Sequence, residues 1–599
     1  VGSEMCIRDR YTATGTDYGC FSGLGVKETA YFPIYMWGPV AGFSFGDSES
    51  TKFDVPEWSF FADKLSQPAI LSMRKAQIEN GGGSYKDLLW YNEKLEAQDA
   101  VLNLDKHFGG KVEISTMRSS FEDKDAVFAA VRGGDAVVNH GHLDLGTFDI
   151  QANGVAWTVD AGADNYNFPG YFDTAKQRWD YYRMRAESHN CMVLNPSEEP
   201  EMQLQSRAPI ALHSKEKGAY SVIDLTDAYA KYADSAIRAV GLTDNRRRVL
   251  VQDEVDLKEP SEYYWFMHTY ADIAIAEDGK SAILSKDGKR LYAQIAAENE
   301  DAKFTVLEDK PLPGSKQIEG QKLLPSLHKL TIHLPSTERV RLAVAFTPLQ
   351  ANEEIAVKTE PLLPITDWKI EDGTIPSVTE LYLDDEPLKG FAPGTYHYTM
   401  ELERADAPIP ELRVDSAFKT RVIQAESMAD SSIVEVFDEE SEEPVIKYYV
   451  SYHYQEPIGL LNGKVKYKPV GVTASDVPEA VNVPENTIDN RLDTRWSAQG
   501  YQWIMYDLGE TKTVDAVALA WMSGNARKYR FAVETSEDGM KWEEVWSGTS
   551  GGRTSDFEVY SFNERSARYV RIVGQGSDVG SWNSLTEFGI YKTKNKGAE

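Results

Sequence analysis

Cysteine is scarce in this sequence, which has Cys6, Cys20 and Cys191 among its 599 residues. Small secreted domains held by disulfides carry a far larger share of cysteine, so this chain is not a disulfide scaffold. Three cysteines neither require nor exclude an oxidising compartment. Long apolar runs are lacking too. No stretch of about 18 apolar residues occurs, and we therefore expect no membrane-spanning helix.

Positive charge is also in short supply. Lys and Arg number 63 against 94 Asp and Glu, which gives a formal net charge of -31. Because affinity for nucleic acids comes mainly from neutralising phosphates, this balance argues against a nucleic-acid partner. A polyanionic ligand would need a local basic cleft to overcome the global repulsion. The chain does have 42% hydrophobic residues, which predicts a folded protein, and its length predicts several domains.

The first ten residues, VGSEMCIRDR, resemble a translated sequencing adapter, and we leave them out of the fold prediction. If this interpretation is correct, the natural N-terminus is missing. The lack of a signal peptide at the start would then say nothing about where the protein resides.

The chain changes character near residue 110. Residues 11–110 are rich in aromatics, and helices are predicted over Pro56–Leu65, with proline in the first turn, and over Tyr85–Leu95. From 111 onward, short alternating apolar runs separated by turn residues predict a large antiparallel β-sandwich over 111–410. The predicted strands are 126–131, 155–159, 219–225, 248–255, 291–295 and 340–346. Residues 411–469, which include an acidic run, are predicted to be a linker or accessory segment.

Histidines number only ten, yet three of them, His140, His142 and His189, lie close together in the sequence. The stretch Asn139–Asp144 alternates like a strand, and residues two apart on a strand share a face. Both imidazoles of the pair would point the same way, and Asp160 and His189 could close a metal site around one of them. Imidazole and carboxylate ligands with a vacant position suit zinc or a similar divalent ion. Spacing alone leaves a purely structural histidine pair open.

The last segment, 470–594, carries five motifs in a fixed order. They are Ile488–Trp496, Ile504–Gly509, Thr535–Trp542, Ala567–Ile572 and Ser584–Glu587. The segment resembles the discoidin domain, also called the F5/8 type C domain, whose bacterial versions are carbohydrate-binding modules. The resemblance implies an eight-stranded jelly-roll β-sandwich.

The discoidin resemblance also implies a calcium site built from oxygen ligands, which calcium prefers. The ligands would be the side chains of Asp489 and Thr494, the carbonyls of Asn486 and Arg491, and Glu587. A polar turn without an ion is the alternative. Sugar binding would need exposed aromatic residues on the loops; Trp582 and Tyr501 are candidates, although either could belong to the core.

Residues 131–190 resemble the C-terminal β-domain of the heparinase II/III-like polysaccharide lyases, a group that includes heparinase II, several alginate lyases and dermatan sulfate epimerase-like proteins. The matching stretches are Asn139–Asp144, Gly154–Gly162 and His189–Asn190. Members place a helical toroid before this domain, and residues 11–110 would be its C-terminal part. The expected fold is therefore multidomain and mostly β: a truncated α/α toroid, a large antiparallel β-sandwich and a C-terminal jelly-roll β-sandwich.

The heparinase II/III resemblance assigns roles to single residues. His142, Asp160 and His189 match metal ligands, usually of zinc. His140, next to Asn139, matches the histidine that lines the substrate cleft, where Asp144 or Asp149 could orient it.

A tyrosine from the loop after Asp160 would reach the same cleft. Tyr171 is our choice, with simple packing as its alternative role; the rivals are Tyr166, Tyr181 and Tyr182. The family's principal catalytic tyrosine lies in the toroid, and we identify no counterpart of it here.

A lyase of this kind removes the proton on C5 of a uronic acid and expels the oxygen on C4. The site must stabilise the charge that develops on the carboxylate, and it needs a base and an acid, which Tyr and His can provide. Arg178, Arg183 and Arg185 could supply a local positive field, as could residues 246–248, although arginines more often form surface ion pairs. His268, on an apolar run, is a candidate for either the cleft or the core.

Three functions remain open at this stage. The first is a polysaccharide lyase that cleaves uronic-acid glycans by β-elimination, with alginate favoured over heparin- or chondroitin-like glycans. The second is a uronate epimerase, and the third is a non-catalytic glycan-binding or adhesion protein. Zinc and calcium are the expected cofactors and an acidic polysaccharide the expected partner. Since polymeric glycans are met outside the cytoplasm, a periplasmic or extracellular location is expected.

Overall fold

The computed structural model describes most of the chain. The described ranges are 13–22, 25–48, 54–79, 83–95, 102–349, 361–402, 408–427, 430–438, 443–453, 464–477, 481–489, 491–492 and 494–593. The chain forms two compact units. The first comprises residues 1–398, 411–424 and 432–449, and the second comprises 399–410, 425–431 and 450–599.

The helices lie at the start of the first unit. Their bounds are Val26–Thr29, Phe32–Met36, Glu57–Lys64, Pro68–Glu79 and Tyr85–Trp90. The last helix begins with a capping box, because the Ser84 side chain accepts a hydrogen bond from the helix backbone and the Asp87 side chain accepts one from the Ser84 N–H. The helices surround a small core that includes Trp58 and Ile70. Single-turn 3-10 helices occur at Cys20–Ser22, Gln177–Asp180, Tyr182–Met184, Ala186–Ser188, Ile365–Asp367 and Pro484–Ile488.

Two large antiparallel sheets make up most of the first unit. Their strands are β1 (Lys106–Phe108), β2 (Val112–Arg118), β3 (Phe128–Asp135), β4 (Phe148–Ala152), β5 (Val155–Ala156), β6 (Met192–Leu194), β7 (Arg207–Ala208), β8 (Ile210–Lys215), β9 (Gly218–Asp224), β10 (Ala233–Thr243), β11 (Arg248–Thr269), β12 (Asp272–Ile275), β13 (Ser281–Lys286), β14 (Lys289–Ala297), β15 (Phe304–Glu308) and β16 (His328–Leu349). One sheet has the order β1-β2-β3-β4-β5, with β7 beside β3. The other has the order β12-β13-β14-β16-β11-β10-β9-β8, with β15 beside β16 and β6 beside β11.

The core of the first unit lies between these two sheets. Phe148 and Ile150 of β4 join Val251 of β11 and Val344 of β16 in one buried apolar cluster. Both halves of β11 are buried almost continuously, while its middle, 257–260, is largely exposed. Strands covered on both faces lose the apolar–polar alternation, which explains why the sequence pattern marked only the first part of β11.

Smaller sheets follow the large sandwich. Their strands are β17 (Glu380–Leu383), β18 (Glu386–Pro387), β19 (His397–Glu401), β20 (Leu412–Asp415), β21 (Lys419–Ile423), β22 (Ser431–Phe437) and β23 (Ile446–His453). The strand orders are β18-β17-β20 and β19-β23-β22-β21. The segment predicted to be a linker or accessory region therefore contains regular β-structure.

An eight-stranded antiparallel sheet forms the second unit. Its strands are β24 (Lys464–Tyr467), β25 (Gly471–Ala474), β26 (Trp496–Gln499), β27 (Gln502–Trp521), β28 (Tyr529–Ser536), β29 (Glu543–Thr549), β30 (Glu558–Ser577) and β31 (Trp582–Thr593). The main path is β24-β31-β27-β30-β28-β29, with β25 on β27 and β26 on β31. Register shifts in the β27–β30 ladder bend these long strands around a core that includes Tyr506, Trp521 and Phe588.

The fold class is confirmed: the protein is mostly β and antiparallel, and the α-helices found in the described ranges lie near its start. Several predicted bounds are wrong. The helix predicted to reach Leu95 ends at Trp90, and the strand predicted over 155–159 covers only Val155–Ala156. No helix in the ranges that the structure describes has the length and apolar character needed to cross a membrane.

Candidate functional site

Asp47 lies at the centre of a cluster of polar side chains in the first unit. Its Oδ1 accepts hydrogen bonds from His142 Nε2 at 2.9 Å, the Tyr171 hydroxyl at 2.9 Å and Arg178 Nη2 at 3.0 Å, and its Oδ2 lies 2.9 Å from His140 Nδ1. Burial favours the neutral acid, but the hydrogen bonds from the two histidines and the charge of Arg178 outweigh it. The pKa of Asp47 is therefore far below its ordinary value. Asp47 is therefore ionised near neutral pH.

Two turns bring this cluster together. The Asp47 N–H donates to the His140 carbonyl at 2.9 Å, and the Gly46 N–H donates to Asp144 Oδ2 at 2.9 Å. Gly46 has a φ of 59°, and a Cβ on it would lie 2.6 Å from the His140 carbonyl oxygen. Only glycine allows this close approach without a shift of the backbone.

The strand predicted around His140 and His142 is wrong, since residues 139 and 140 form a turn and β4 begins only at Phe148. His140 has a left-handed φ of 58° and an exposed side chain, whereas His142 is fully buried. The two imidazoles therefore do not share a face. They converge because each one binds a different oxygen of the Asp47 carboxylate.

A chain of buried groups continues inward from Asp47. His142 Nδ1 lies 3.2 Å from His189 Nε2, and His189 Nδ1 lies 2.7 Å from Asp160 Oδ2. Burial lowers the pKa of His142. For His189 burial acts in the same direction, but the charge and hydrogen bond of Asp160 outweigh it and raise the pKa. Three predicted metal ligands thus lie in one connected group.

The facing nitrogens of His142 and His189 fit a divalent metal ion. A tetrahedral zinc site with bonds of about 2.0–2.1 Å places neighbouring ligand nitrogens roughly 3.4 Å apart, close to the observed 3.2 Å. An oxygen of Asp144 lies within 4.8 Å of both imidazoles. Asp160 instead binds the far nitrogen of His189 and so fixes the orientation of that ring. The geometry favours Asp144 as a third ligand, where the sequence had suggested Asp160.

Asp144 is itself held in place. One of its oxygens accepts from the Gly46 N–H, and the other forms an ion pair with the buried guanidinium of Arg132. His189 Nε2 also lies 3.1 Å from the Arg183 carbonyl oxygen. The two imidazoles are each anchored before any ion is bound, through the nitrogen that faces away from the other ring: His142 by Asp47 and His189 by Asp160.

The surface above Asp47 carries His140 and two aromatic rings. The His140 side chain is 48% exposed, and the Tyr166 hydroxyl lies 3.5 Å from its Nδ1. Phe172 packs edge-on against the His140 ring. Tyr171, our first choice for the cleft, is 1% exposed; its hydroxyl donates to Asp47 and accepts the Asp164 N–H. The structure thus places the rival Tyr166, and not Tyr171, at the surface beside His140.

Most of the arginines predicted to form a positive cleft are buried, and Arg247, whose side chain is 32% exposed, pairs with Asp244. Arg178 binds Asp47 and the carbonyls of Gly141 and Tyr171. Arg183 donates to the carbonyls of Lys322, Ala161 and Ala163. Arg185 donates to Glu201 and to the carbonyls of 197–199. Arg246 forms a two-pronged pair with Asp105. Because the buried guanidiniums donate to carbonyls and carboxylates of the first unit, we expect them to stabilise the fold and not to present charge to a ligand.

The remaining predicted cleft residues differ in exposure. Asn139 is exposed in the turn beside His140. His268 is fully buried; its Nδ1 lies 3.3 Å from Asn190 Oδ1, and burial lowers its pKa well below the ordinary value. His268 is therefore a core residue, in line with the second of its two predicted roles.

Asp47 is the residue of this cluster that the sequence did not indicate. It lies more than ninety positions before the histidines it binds. No local motif surrounds it beyond a glycine and a serine in a short turn. Only the docking of that turn onto 138–141 reveals its role.

The calcium-type cluster of the second unit is also brought together. Thr494 Oγ1 donates to Asp489 Oδ2 at 2.7 Å and lies 3.3 Å from the Arg491 carbonyl and 3.5 Å from the Asn486 carbonyl. The Arg491 N–H lies 3.3 Å from Glu587 Oε1. Oxygens of Asp489, Asn486 and Arg491 therefore meet at the Thr494 hydroxyl, and Glu587 is joined to them through the Arg491 N–H; oxygen ligands of this kind are the type that calcium takes.

The two aromatic candidates for sugar binding are exposed. Tyr501 is 72% exposed, and Trp582 is 39% exposed at the start of β31. Neither belongs to the buried core of the second unit. Their placement agrees with a surface role.

Two known protein families match separate parts of the chain. Residues 105–337 match the family model described as heparinase II/III-like, C-terminal, and residues 471–588 match that of the F5/8 type C domain. The two matches define a modular protein that acts on polysaccharides and carries a glycan-binding domain. The C-terminal part of the chain is an F5/8 type C domain, and residues 105–337, which precede it, are similar to the heparinase II/III-like C-terminal domain. No curated protein matches it.

Three solved structures illustrate the similarity. The CBM32 of AlyQ in complex with 4,5-unsaturated mannuronic acid is 47% identical over 21% of this chain and 97% of its own, with a TM-score of 0.21. Truncated AlyQ with CBM32 and alginate lyase domains is 44% identical over 23% of this chain and 35% of its own, with a TM-score of 0.22. A heparinase III is 16% identical over 54% of this chain and 46% of its own, with a TM-score of 0.39. The chain therefore spans less than half of the last two proteins.

Proposed function

We propose that this protein is a polysaccharide lyase that cleaves uronic-acid glycans by β-elimination. The observation that carries the proposal is the exposed His140, whose Nδ1 is held by the Asp47 carboxylate and whose neighbour is the Tyr166 hydroxyl. An imidazole oriented by a carboxylate is the usual form of a general base or acid. Alginate is the first substrate to test, followed by heparin- and chondroitin-like glycans.

The chemistry assigns a role to each of these groups. With Nδ1–H donated to Asp47, the Nε2 of His140 is left to exchange a proton with the substrate. In β-elimination the C5–H bond breaks and its proton passes to a base. The C4–O bond then breaks, the leaving oxygen takes a proton from an acid, and a C4–C5 double bond forms. His140 and Tyr166 form the acid–base pair for these two transfers.

A divalent ion of the zinc type belongs to the same proposal. His142 and His189 would hold it, with Asp144 or Asp160 as the carboxylate ligand, and it would add positive charge next to the Asp47 cluster. His142 also binds Asp47, so a fixed His142 keeps the Asp47 carboxylate, and through it His140, in place. Calcium would occupy the cluster of the second unit, where Tyr501 and Trp582 would bind sugar. A periplasmic or extracellular location follows from a polymeric substrate.

The test is the appearance of the ultraviolet absorbance of the unsaturated product. Alginate, heparin and chondroitin sulfate are each incubated with the full chain, with His140→Ala and with His213→Ala. His213 is an exposed histidine of β8 outside the cluster and serves as the matched control. We expect the absorbance to increase with at least one glycan. The rate of this increase should fall by about 10²–10⁴-fold in His140→Ala and should be unchanged in His213→Ala.

The two alternatives have their own signatures. Exchange of the C5 proton for deuterium without new ultraviolet absorbance would replace the lyase by a uronate epimerase. Glycan binding without absorbance or exchange would leave a non-catalytic glycan-binding or adhesion protein.

A further inference from the structure

A separate cavity of about 320 Å³ opens in the first unit at Asp160. Its volume is at the lower end of the range of small-molecule sites, about 300–1,000 Å³, and leaves room for one sugar ring. Phe43, Asp149, Asn190, Tyr270 and Lys322 are among the residues that line it, and we call the part lined by Asp149 and Asn190 its floor.

The floor of the cavity is polar and held in place. Asp149 is 8% exposed; it accepts hydrogen bonds from the Thr158 hydroxyl and from Gln151 Nε2, the latter at 2.7 Å. Burial raises the pKa of Asp149 to about 6. The Asn190 side chain donates to the Phe148 carbonyl at 2.9 Å. Carboxylate oxygens fixed in this way are acceptors for ligand hydroxyls.

The lining of the cavity also includes a cation and a phenol ring. Lys322 is exposed, and Tyr270 is 41% exposed. The backbone of Lys322 is fixed on both sides, since its N–H donates to Asp164 and its carbonyl accepts from Arg183 Nε at 2.9 Å. Within the ranges that the structure describes, the Lys322 ammonium is paired with no carboxylate. The chain thus holds a positive charge over the cavity without neutralising it.

This cavity is distinct from the His140 surface. Asp160 lines the cavity, and from it the hydrogen bonds run through His189 and His142 to Asp47 and only then to His140. The buried imidazole pair therefore stands between the two places. A ligand in the cavity does not touch the proposed acid–base pair.

We propose that the cavity binds one uronic acid residue of a glycan, with its ring hydroxyls on the Asp149 floor and its carboxylate on the Lys322 ammonium. A uronic acid has a hydroxyl-bearing edge and a carboxylate, which matches a lining that contains acceptor oxygens and a single basic side chain. A neutral sugar would satisfy the floor but leave the ammonium without a counterion. The identity of the glycan rests on the proposed function; the cavity and its charges do not.

The test compares two tetrasaccharides on the full chain, one of mannuronic acid and one of neutral mannose. Because the second unit is also expected to bind glycans, the readout is local: hydrogen exchange of peptides that cover 156–161, 268–272 and 320–325. We expect the mannuronate tetrasaccharide to protect these peptides, and the neutral one to protect them at least about tenfold more weakly. Lys322→Gln should weaken the mannuronate protection by roughly tenfold to a hundredfold, the loss of one charge-assisted hydrogen bond, and Lys322→Arg should retain it.

Lys310→Gln is the matched control, since Lys310 is an exposed lysine near the start of the same loop that does not line the cavity. Equal protection by the two tetrasaccharides, or unchanged protection in Lys322→Gln, overturns the proposal. The outcomes also separate it from the proposed catalysis. Protection without any cleavage removes the lyase and leaves the cavity site, whereas cleavage with no protection of these peptides removes the cavity site and leaves the lyase.

Discussion

The single carboxylate of Asp47 accepts hydrogen bonds from four side chains, which come from three segments of the chain. Its two oxygens are divided between them, one for His140 and the other for His142, Tyr171 and Arg178. Each of these partners is a donor, so the ionised form is the one that satisfies them all. Removing its charge therefore leaves a buried guanidinium unpaired and an exposed imidazole without its orienting acceptor.

For Asp47→Asn we expect kcat/KM on the cleaved glycan to fall by about 10²–10⁴-fold, because the His140 tautomer is no longer fixed. We also expect a loss of unfolding free energy of about 3–5 kcal/mol, because Arg178 loses its countercharge. Steady-state kinetics and urea denaturation measure the two effects. Asp173→Asn, an exposed aspartate of the loop after Asp160, is the control and should change neither. If the kcat/KM of Asp47→Asn were within twofold of that of the natural protein, Asp47 would have no role in the site.

Asp149 predicts a pH dependence of stability. Burial raises its pKa in the folded protein from 3.8 to about 6, so between these values the folded state holds the proton more tightly than the unfolded state. Its contribution is therefore fully present below about pH 4 and is lost as the pH rises through about 6. The shift corresponds to about 3 kcal/mol.

Asp149→Asn should remove this dependence. Urea midpoints at about pH 4 and about pH 7 should show the variant gaining stability relative to the natural protein as the pH rises. Asp301→Asn, at an exposed position, should follow the natural protein at both values. A constant difference between Asp149→Asn and the natural protein at the two pH values would contradict the assignment.

At the scale of elements, the candidate site depends on two turns that touch. Gly46 and Gly288 both have left-handed φ values, 59° and 72°, but a Cβ on Gly46 meets the His140 carbonyl at 2.6 Å, while a Cβ on Gly288 meets nothing within 4 Å. Gly46→Ala and Gly288→Ala therefore carry a similar backbone cost and differ only in the clash. We expect Gly46→Ala to lower kcat/KM by tenfold or more, and Gly288→Ala to leave it unchanged while costing about 1 kcal/mol of stability. Equal kcat/KM in the two variants would mean that catalysis does not depend on the close contact between the Gly46 turn and the His140 turn.

The pairing of β10 with β11 offers a second matched comparison. Asp253 forms a two-pronged pair with Arg238 at 2.7 and 2.8 Å, and both side chains are fully buried. Asp256, three residues along β11, pairs with Arg339 at 3.3 Å in the open. Asp253→Asn should lower the free energy of unfolding by about 3–5 kcal/mol, and Asp256→Asn by less than about 1 kcal/mol. If urea titrations of the two variants gave similar losses of unfolding free energy, burial would not determine how much these ion pairs contribute to stability.

Local patterns predicted elements better than they predicted contacts. The helix over Glu57–Lys64 was found because its apolar spacing and its leading proline lie within a few residues of each other. The sequence predicts a strand at His140 where the structure has a turn, because a left-handed φ at a histidine does not change the alternating pattern of residue types. The arginines of the 178–185 loop are predicted to line a cleft, but their carbonyl and carboxylate partners, such as Asp47 for Arg178 and Glu201 for Arg185, are brought to them by the tertiary fold. The family motif did indicate which histidines and aspartates would meet, though not which carboxylate faces both imidazoles.

At the scale of the whole molecule, the chain divides its proposed chemistry between two units. The candidate metal site of the first unit is buried and has nitrogen and oxygen ligand atoms. The candidate site of the second unit lies at a turn and has only oxygen ligand atoms. Nitrogen-rich buried sites favour zinc-like ions, and oxygen-only sites favour calcium. Each ion should therefore be removable without the other.

Elemental analysis of purified protein tests this separation. His142→Ala should lose about one zinc-like ion per chain and keep calcium, whereas Asp489→Ala should lose calcium and keep the zinc-like ion; His213→Ala should keep both. Two further variants decide the carboxylate ligand, because removal of a true ligand abolishes binding while removal of a group that only orients His189 weakens it by about 10–100-fold. Loss of the ion in Asp144→Ala with weakened retention in Asp160→Ala would establish the arrangement that the distances favour, and the reverse would restore the ligand set implied by the family motif. Absence of any transition metal from the natural protein would instead make the His142–His189 contact a plain hydrogen bond, with one imidazole donating to the other.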